Sequence, residues 1–194
     1  MRFLSIRLLA TLLIAPLTLW FVPAPTALAE EDTPPTPRQI VALDECDPTT
    51  FNAVLGPDFC KNVALAAVLP FATTFTDLFA EAAAGTPDPS WDFEPDSVTI
   101  KQGTPIIVVN QGGEPHTFTK VAKFGGGFVL ALNGVQEAVP ECAGTSMRPG
   151  FKDVAVARTR ILQGSQLQVT GLSKGKHYFQ CCIHPWMRVT VDVK

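Results

Sequence analysis

Tyr178-Phe179-Gln180-Cys181-Cys182-Ile183-His184-Pro185-Trp186-Met187 places a thiol, an imidazole and a thioether within seven residues, counted from Cys181 to Met187. His177–Cys181 reads as the end of one strand, and Arg188–Val193 as the strand that follows the turn. Far upstream, Gly112-Gly113-Glu114-Pro115-His116-Thr117-Phe118 puts a second imidazole at the start of another strand. Soft sulfur donors combined with imidazoles are the side chains of a transition-metal site.

Outward from these two stretches the texture is that of strands and turns. Asp96 to Lys101 alternates, Gln102-Gly103 turns, and Pro105 to Asn110 is a β-branched run expected of a buried strand. His116–Ala122, Val154–Ala157, Arg160–Gln163 and Gln166–Leu172 are further strand candidates. About seven or eight short strands over roughly 100 residues, with no helical period between most of them, predict an all-β fold, an antiparallel β-sandwich. Phe124 to Gly150 is long and Gly-rich, and reads as an excursion between strands.

Two His, one Cys and a Met form the ligand set of a mononuclear blue-copper site, because sulfur donors favour Cu(I) while imidazoles serve both oxidation states. With aromatic-x-Cys-x-x-His-x-x-Met read as Phe179, Cys181, His184 and Met187, Trp91 to Lys194 resembles the cupredoxins, exported electron carriers. The short ligand loop is most similar to that of amicyanin and plastocyanin. The resemblance implies a Greek-key sandwich binding one type 1 copper. His116, Cys181 and His184 would be its equatorial ligands and Met187 its weak axial one. It also implies that His184 lies near the surface and passes electrons to a transient redox partner.

The sequence departs from the family in three places. Thr117 stands where an Asn usually braces the ligand loop, and its hydroxyl is suited to part of that job. Ile183 replaces a frequent Pro, and the excursion lengthens the spacing from His116 to Cys181. His177 has no partner pattern and reads as an exposed histidine, while Met147 reads as loop packing.

Five Cys in an exported chain leave one thiol with other work. If copper takes one, the other four allow three pairings. Cys46–Cys60, fourteen positions apart, is expected to staple the acidic segment, which leaves Cys142 with one of the adjacent pair. That is Cys182 if Cys181 binds copper, tying the long loop to the ligand loop. Cys181 shares its strand face with Phe179 and Cys182 with Gln180, and the Cys-x-x-His spacing also selects Cys181 as the ligand. Zinc accepts Cys and His equally well, but would leave the Met unused.

The N-terminus carries Arg2 and Arg7, an uncharged run from Leu8 to Val22 and the site Ala27-Leu28-Ala29. This predicts a secretory signal over 1–29, cleaved after Ala29, and a periplasmic or secreted protein. The apolar run, interrupted by Pro16, is shorter than the ~20 residues of a spanning helix, so no membrane span is expected after cleavage.

Residues 30–88 form an acidic, Pro-rich linker and helical extension, and 89–194 the copper-binding domain. Between Ile40 and Gly85 the pattern is helical, with Phe71, Phe75, Leu78, Phe79 and Ala82 as a core-facing stripe that Gly85 and Pro87 end.

Glu30 to Ile100 carries 13 acidic and 2 basic residues, whereas Lys101 to Lys194 carries 5 acidic and 11 basic. The basic part calls for an acidic partner surface or for the acidic segment itself. A net charge of −3 argues against nucleic acid as a partner. Only 3 Met and 3 His argue against the alternative of a copper chaperone or resistance protein, and against an enzyme with a second copper cluster. A monomeric electron carrier is expected.

Overall fold

The computed structural model describes residues 35–61, 72–143 and 154–194, the side chains of 154 and 155 excepted. The signal, the start of the Pro-rich linker, Phe71 and Met147 lie outside the described residues. From Pro34 onward the chain forms one compact unit.

Its strands are β1 (Arg38–Leu43), β2 (Asp92–Glu94), β3 (Ser97–Ile100), β4 (Ile106–Asn110), β5 (His116–Thr117), β6 (Thr119–Val121), β7 (Arg160–Ile161), β8 (Gln166–Val169), β9 (Gly175–Gln180) and β10 (Arg188–Val193). They make two four-stranded sheets, ordered β2-β1-β4-β8 and β3-β10-β9-β6, with a small β5-β7 ladder beside them. The all-β sandwich is as expected, with one refinement. Each sheet holds one parallel pair, β1 with β4 and β3 with β10, among antiparallel neighbours.

Strand alternation builds the core. Ile106, Val108 and Asn110 of β4 are buried while Ile107 and Val109 are half-buried, and β10 buries Val189, Val191 and Val193. Ile40, Ala42 and Phe93 of the first sheet share one core with Val98, Ile100, Phe179 and Val189 of the second. Phe118 joins them, stacked on Phe179 at 4.5 Å and edge-on to Phe93 at 5.2 Å.

Two readings of the sequence are corrected here. Arg38–Leu43, expected within a helical extension, is a strand inside the first sheet, hydrogen-bonded on both sides by β2 and β4. Its β-branched Ile40 and Val41 suit that role. Val154–Arg158, most of it expected as a strand, is a short helix, α3.

Among the described residues the extension also holds two helices, as expected. Asp47 caps α1 (Pro48–Leu55) by accepting from the backbone N–H of Thr49 and Thr50, and Pro48 occupies the first turn, where no N–H is needed. Thr74 caps α2 (Phe75–Ala84), which Gly85 ends at φ 75° in the left-handed region. Leu78 and Ala82 of α2 are buried, with Phe75 and Phe79 packed partly against the same core. Both expected disulfides, Cys46–Cys60 and Cys142–Cys182, are present, and Cys181 is a free, buried thiol. Among the described residues no helix is long and apolar enough to cross a membrane.

Candidate metal centre

The loop Cys181–Met187 leaves β9 and returns as β10, and two backbone hydrogen bonds shape it. Cys181 N–H donates to the Met187 carbonyl and Met187 N–H to the His184 carbonyl, both at 3.0 Å. His116 opens β5, which β7 holds in register through the His116–Ile161 pair. These elements bring His116, Cys181 and His184 together, with one donor atom from each lying within 4.8 Å of the others. All three are buried, His184 at 1% exposure.

The thiol sits in a polar cage. His116 Nδ1 lies 3.9 Å from Cys181 Sγ, and the backbone N–H groups of Thr117 and His184 donate to that sulfur at 3.4 and 3.5 Å. Thr117 does brace the loop, since its hydroxyl accepts from Cys182 N–H at 2.7 Å. Met187 is fully buried and closes the loop through its backbone.

Two acidic residues not singled out from the sequence complete the site. Asp44 Oδ2 meets His116 Nε2 at 2.7 Å, and Glu114 Oε2 meets His184 Nε2 at 3.0 Å. Each imidazole is thus held by its far nitrogen, which leaves Nδ1 for another partner. The His184 Nδ1 atom is buried with no hydrogen-bond partner. A buried orphan nitrogen beside a thiol and a second imidazole is what a bound soft or borderline metal would satisfy, so the donor set fits copper.

Asp44 reaches the site because β1 and β4 run parallel, so the residues just beyond their ends are neighbours. Its carboxylate also accepts from Gly113 N–H (2.8 Å) and Glu114 N–H (3.0 Å). A Cβ on Gly112 would lie 1.9 Å from Asp44 Oδ2, and one on Gly113 2.5 Å from Cys46 Sγ. Only glycines there let the extension close on the site. The Gly-Gly pair beside Glu114 was a visible signal for close approach; Asp44 had none.

His184 does not present a surface edge, contrary to what the resemblance implies. Its ring packs between Trp91 (6.1 Å) and Trp186 (5.6 Å), and Phe51, Leu55 and Phe79 of the extension line the cleft beside it. The extension covers a face that a bare sandwich would leave open. His177 is also buried rather than exposed, its Nε2 bonded to the Ser173 carbonyl at 2.7 Å.

Ionisation follows from this packing. Burial lowers the His116 pKa, but the Asp44 carboxylate and the Cys181 sulfur outweigh it and push the value up to about 10. His184 rises to about 9 against the same burial, through Glu114 and Cys181. The Cys181 thiol falls well below its usual range, because the two imidazoles overcome its burial. Burial raises Glu114, whereas Asp44 is lowered despite its burial, by His116 and two backbone N–H groups.

These shifts favour protonated imidazoles in the metal-free site at neutral pH, and favour the thiolate form of Cys181 beside them. A metal that takes both Nδ1 atoms must displace a proton from each ring. Calorimetry of Cu(II) uptake at pH 7, in buffers of different ionisation enthalpy, is expected to show close to two protons released. Release should fade, and affinity rise, as pH passes through about 9 and 10. No release at pH 7 would mean that the imidazoles are already neutral.

No protein-family model and no curated protein matches the chain. Among solved structures it is similar to a purple cupredoxin from Nitrosopumilus maritimus, with 12% identity and a TM-score of 0.38 over 81% of this chain and 99% of that one. It is also similar to the Cu(I) form of an amicyanin variant and to a reduced amicyanin variant. Those two share 15% and 18% identity at a TM-score of 0.33, over 53% of this chain and 73% of theirs. These likenesses are distant, and the donor geometry stands without them. What the chain itself shows is two mixed sheets sharing one core, with a His-Cys-His cluster built from the β9–β10 loop and the start of β5.

Proposed function

We propose that this is an exported protein that carries single electrons on one copper ion, held by His116, Cys181 and His184 with Met187 as a weak fourth donor. The observation that carries the reading is the buried cluster of two imidazoles and one free thiol, each ring held at Nε2 by a carboxylate. Bound there, copper supplies a one-electron couple.

The chain's own residues then do three things. Cys181 provides the strong thiolate donor, with its charge supported by two backbone N–H groups. Asp44, Glu114 and Thr117 keep the ligands from relaxing between oxidation states. Burial of all three donors excludes water as a competing ligand.

Copper hand-over, the second reading, needs an exposed donor for the receiving protein, and the sealed His184 weighs against it. With 3 His in the chain, a second copper cluster built on several more His cannot be supplied. The signal over 1–29 and the two disulfides support a periplasmic or extracellular location, where such bridges persist. Electrons leave through Trp186, partly buried and edge-on to His184, to a transient partner whose acidic surface suits the basic 101–194 part.

An anaerobic redox titration of the copper-loaded chain tests this. One electron per chain should be taken up and returned reversibly, with the metal retained. Loss of copper on reduction would move the assignment to metal handling.

A further inference from the structure

We infer that Asp44 and Glu114 are positioning residues that aim the two imidazoles at Cys181 and bias the centre toward the oxidised metal. The inference rests on the copper reading above and says which way that centre is tuned.

The side chains of Asp44 and His116 are fully buried at 0% exposure, and those of Glu114 and His184 nearly so at 2%. Among the described residues no Lys or Arg forms an ion pair with either carboxylate, so the imidazoles are their counter-groups. The remaining contacts of Asp44 are backbone N–H groups from Cys46, Gly113 and Glu114. Glu114 Oε1 is buried and has no hydrogen-bond partner among the described residues. Two acids thus face one metal position through one ring each, and among the described residues neither has a Lys or Arg ion-pair partner.

Two physical effects follow, and both have the same sign. An imidazole that donates its far N–H to a carboxylate is a stronger donor to a metal, and the stronger donor favours the more highly charged ion. In a site shielded from water, negative charge also lowers the energy of Cu(II) relative to Cu(I), because Coulomb interactions are weakly screened there. The reduced centre is then the better electron source. A purely structural role, in which the carboxylates only fasten the extension to the loop, would cost stability and leave the couple unchanged.

The test compares the copper-loaded full-length mature chain with its Asp44→Asn and Glu114→Gln variants by spectroelectrochemistry, and titrates each metal-free form with Zn(II), which has no redox couple. Each variant is expected to keep its thiolate-to-copper absorption. The Cu(I) to Cu(II) ratio at fixed potential should rise at least tenfold, which is 59 mV for a one-electron couple. Zn(II) affinity should fall roughly 10- to 100-fold in each.

A ratio changed less than twofold, with absorption intact, overturns the inference even if stability drops. Should Asp44→Asn fail to fold, Glu114→Gln decides by the same criterion, since Gln keeps an oxygen for His184 Nε2–H. Absence of the absorption from the unaltered chain is a different failure; it removes the copper reading and this inference with it.

Discussion

Replacing Gly127 with alanine is expected to destabilise the chain by about 3 kcal/mol and to disturb the ligand strand, because the added methyl has nowhere to go. An ideal Cβ there would lie 2.0 Å from the Cys182 carbonyl oxygen and 2.7 Å from its carbon. Those are backbone atoms, and they cannot rotate away. The segment around Gly127 is pinned from several sides. Its N–H donates to Asn133 Oδ1 at 2.8 Å, its carbonyl accepts from Asn133 Nδ2 at 2.9 Å, and Phe128 N–H donates to the Cys182 carbonyl at 2.9 Å. Relief must come from moving Cys182, the neighbour of the free thiol Cys181. Urea unfolding of the metal-free variant checks the cost, and the visible spectrum of its copper form checks the disturbance. A cost below about 1 kcal/mol would show that the excursion yields without effort.

The second large effect concerns the bridge from the same excursion. Joint Cys142→Ala and Cys182→Ala substitution is expected to cost about 4 kcal/mol, because the bridge closes a loop of 40 positions in the unfolded chain. The Cys46–Cys60 bridge, with a separation of 14, is worth about 3 kcal/mol on the same reasoning. The first bridge also packs into a second small core with Val121, Val139 and Val156, so its loss opens apolar space as well. Denaturant unfolding of the metal-free forms is the right comparison, since bound metal would add its own stabilisation. A loss under about 1 kcal/mol would mean that the excursion is held by its other contacts.

The Cys181–Met187 loop was legible because its candidate donors are local. Cys181, His184 and Met187 lie on one turn, and Cys181 and Cys182 fall in different core clusters, as strand alternation expects. Both cysteines turn out to be buried, since the excursion covers the face that Cys182 occupies with Val121 and Val139. Counting left three pairings once one thiol was set aside, and the nearness of Cys46 to Cys60 in the acidic segment pointed to the pairing found. The strands of 97–193 followed from β-branched alternation; Val154–Arg158 misled the same rule, being β-branched in sequence and helical in the fold.

What was illegible depends on long-range pairing. Arg38–Leu43 is a strand because β2 and β4 flank it, and only that register carries Asp44 to His116, across 72 positions of sequence. The surface position of His184 was carried over from smaller carriers, which say nothing of what an added extension covers. Here Phe51, Leu55 and Phe79 occupy that side. The uneven charge of the chain did not point to the contact found: among the described residues no Lys or Arg of 101–194 pairs with an acid of 30–100, and the cross-contact is the buried Asp44 with His116.

The most direct measurement is the visible absorption of the purified mature chain after Cu(II) addition, beside its Cys181→Ser variant. A single copper bound through the buried thiolate predicts an intense thiolate-to-copper band at one metal per chain, absent from the variant. A colourless parent that still binds copper tightly, or a band that survives Cys181→Ser, would contradict it.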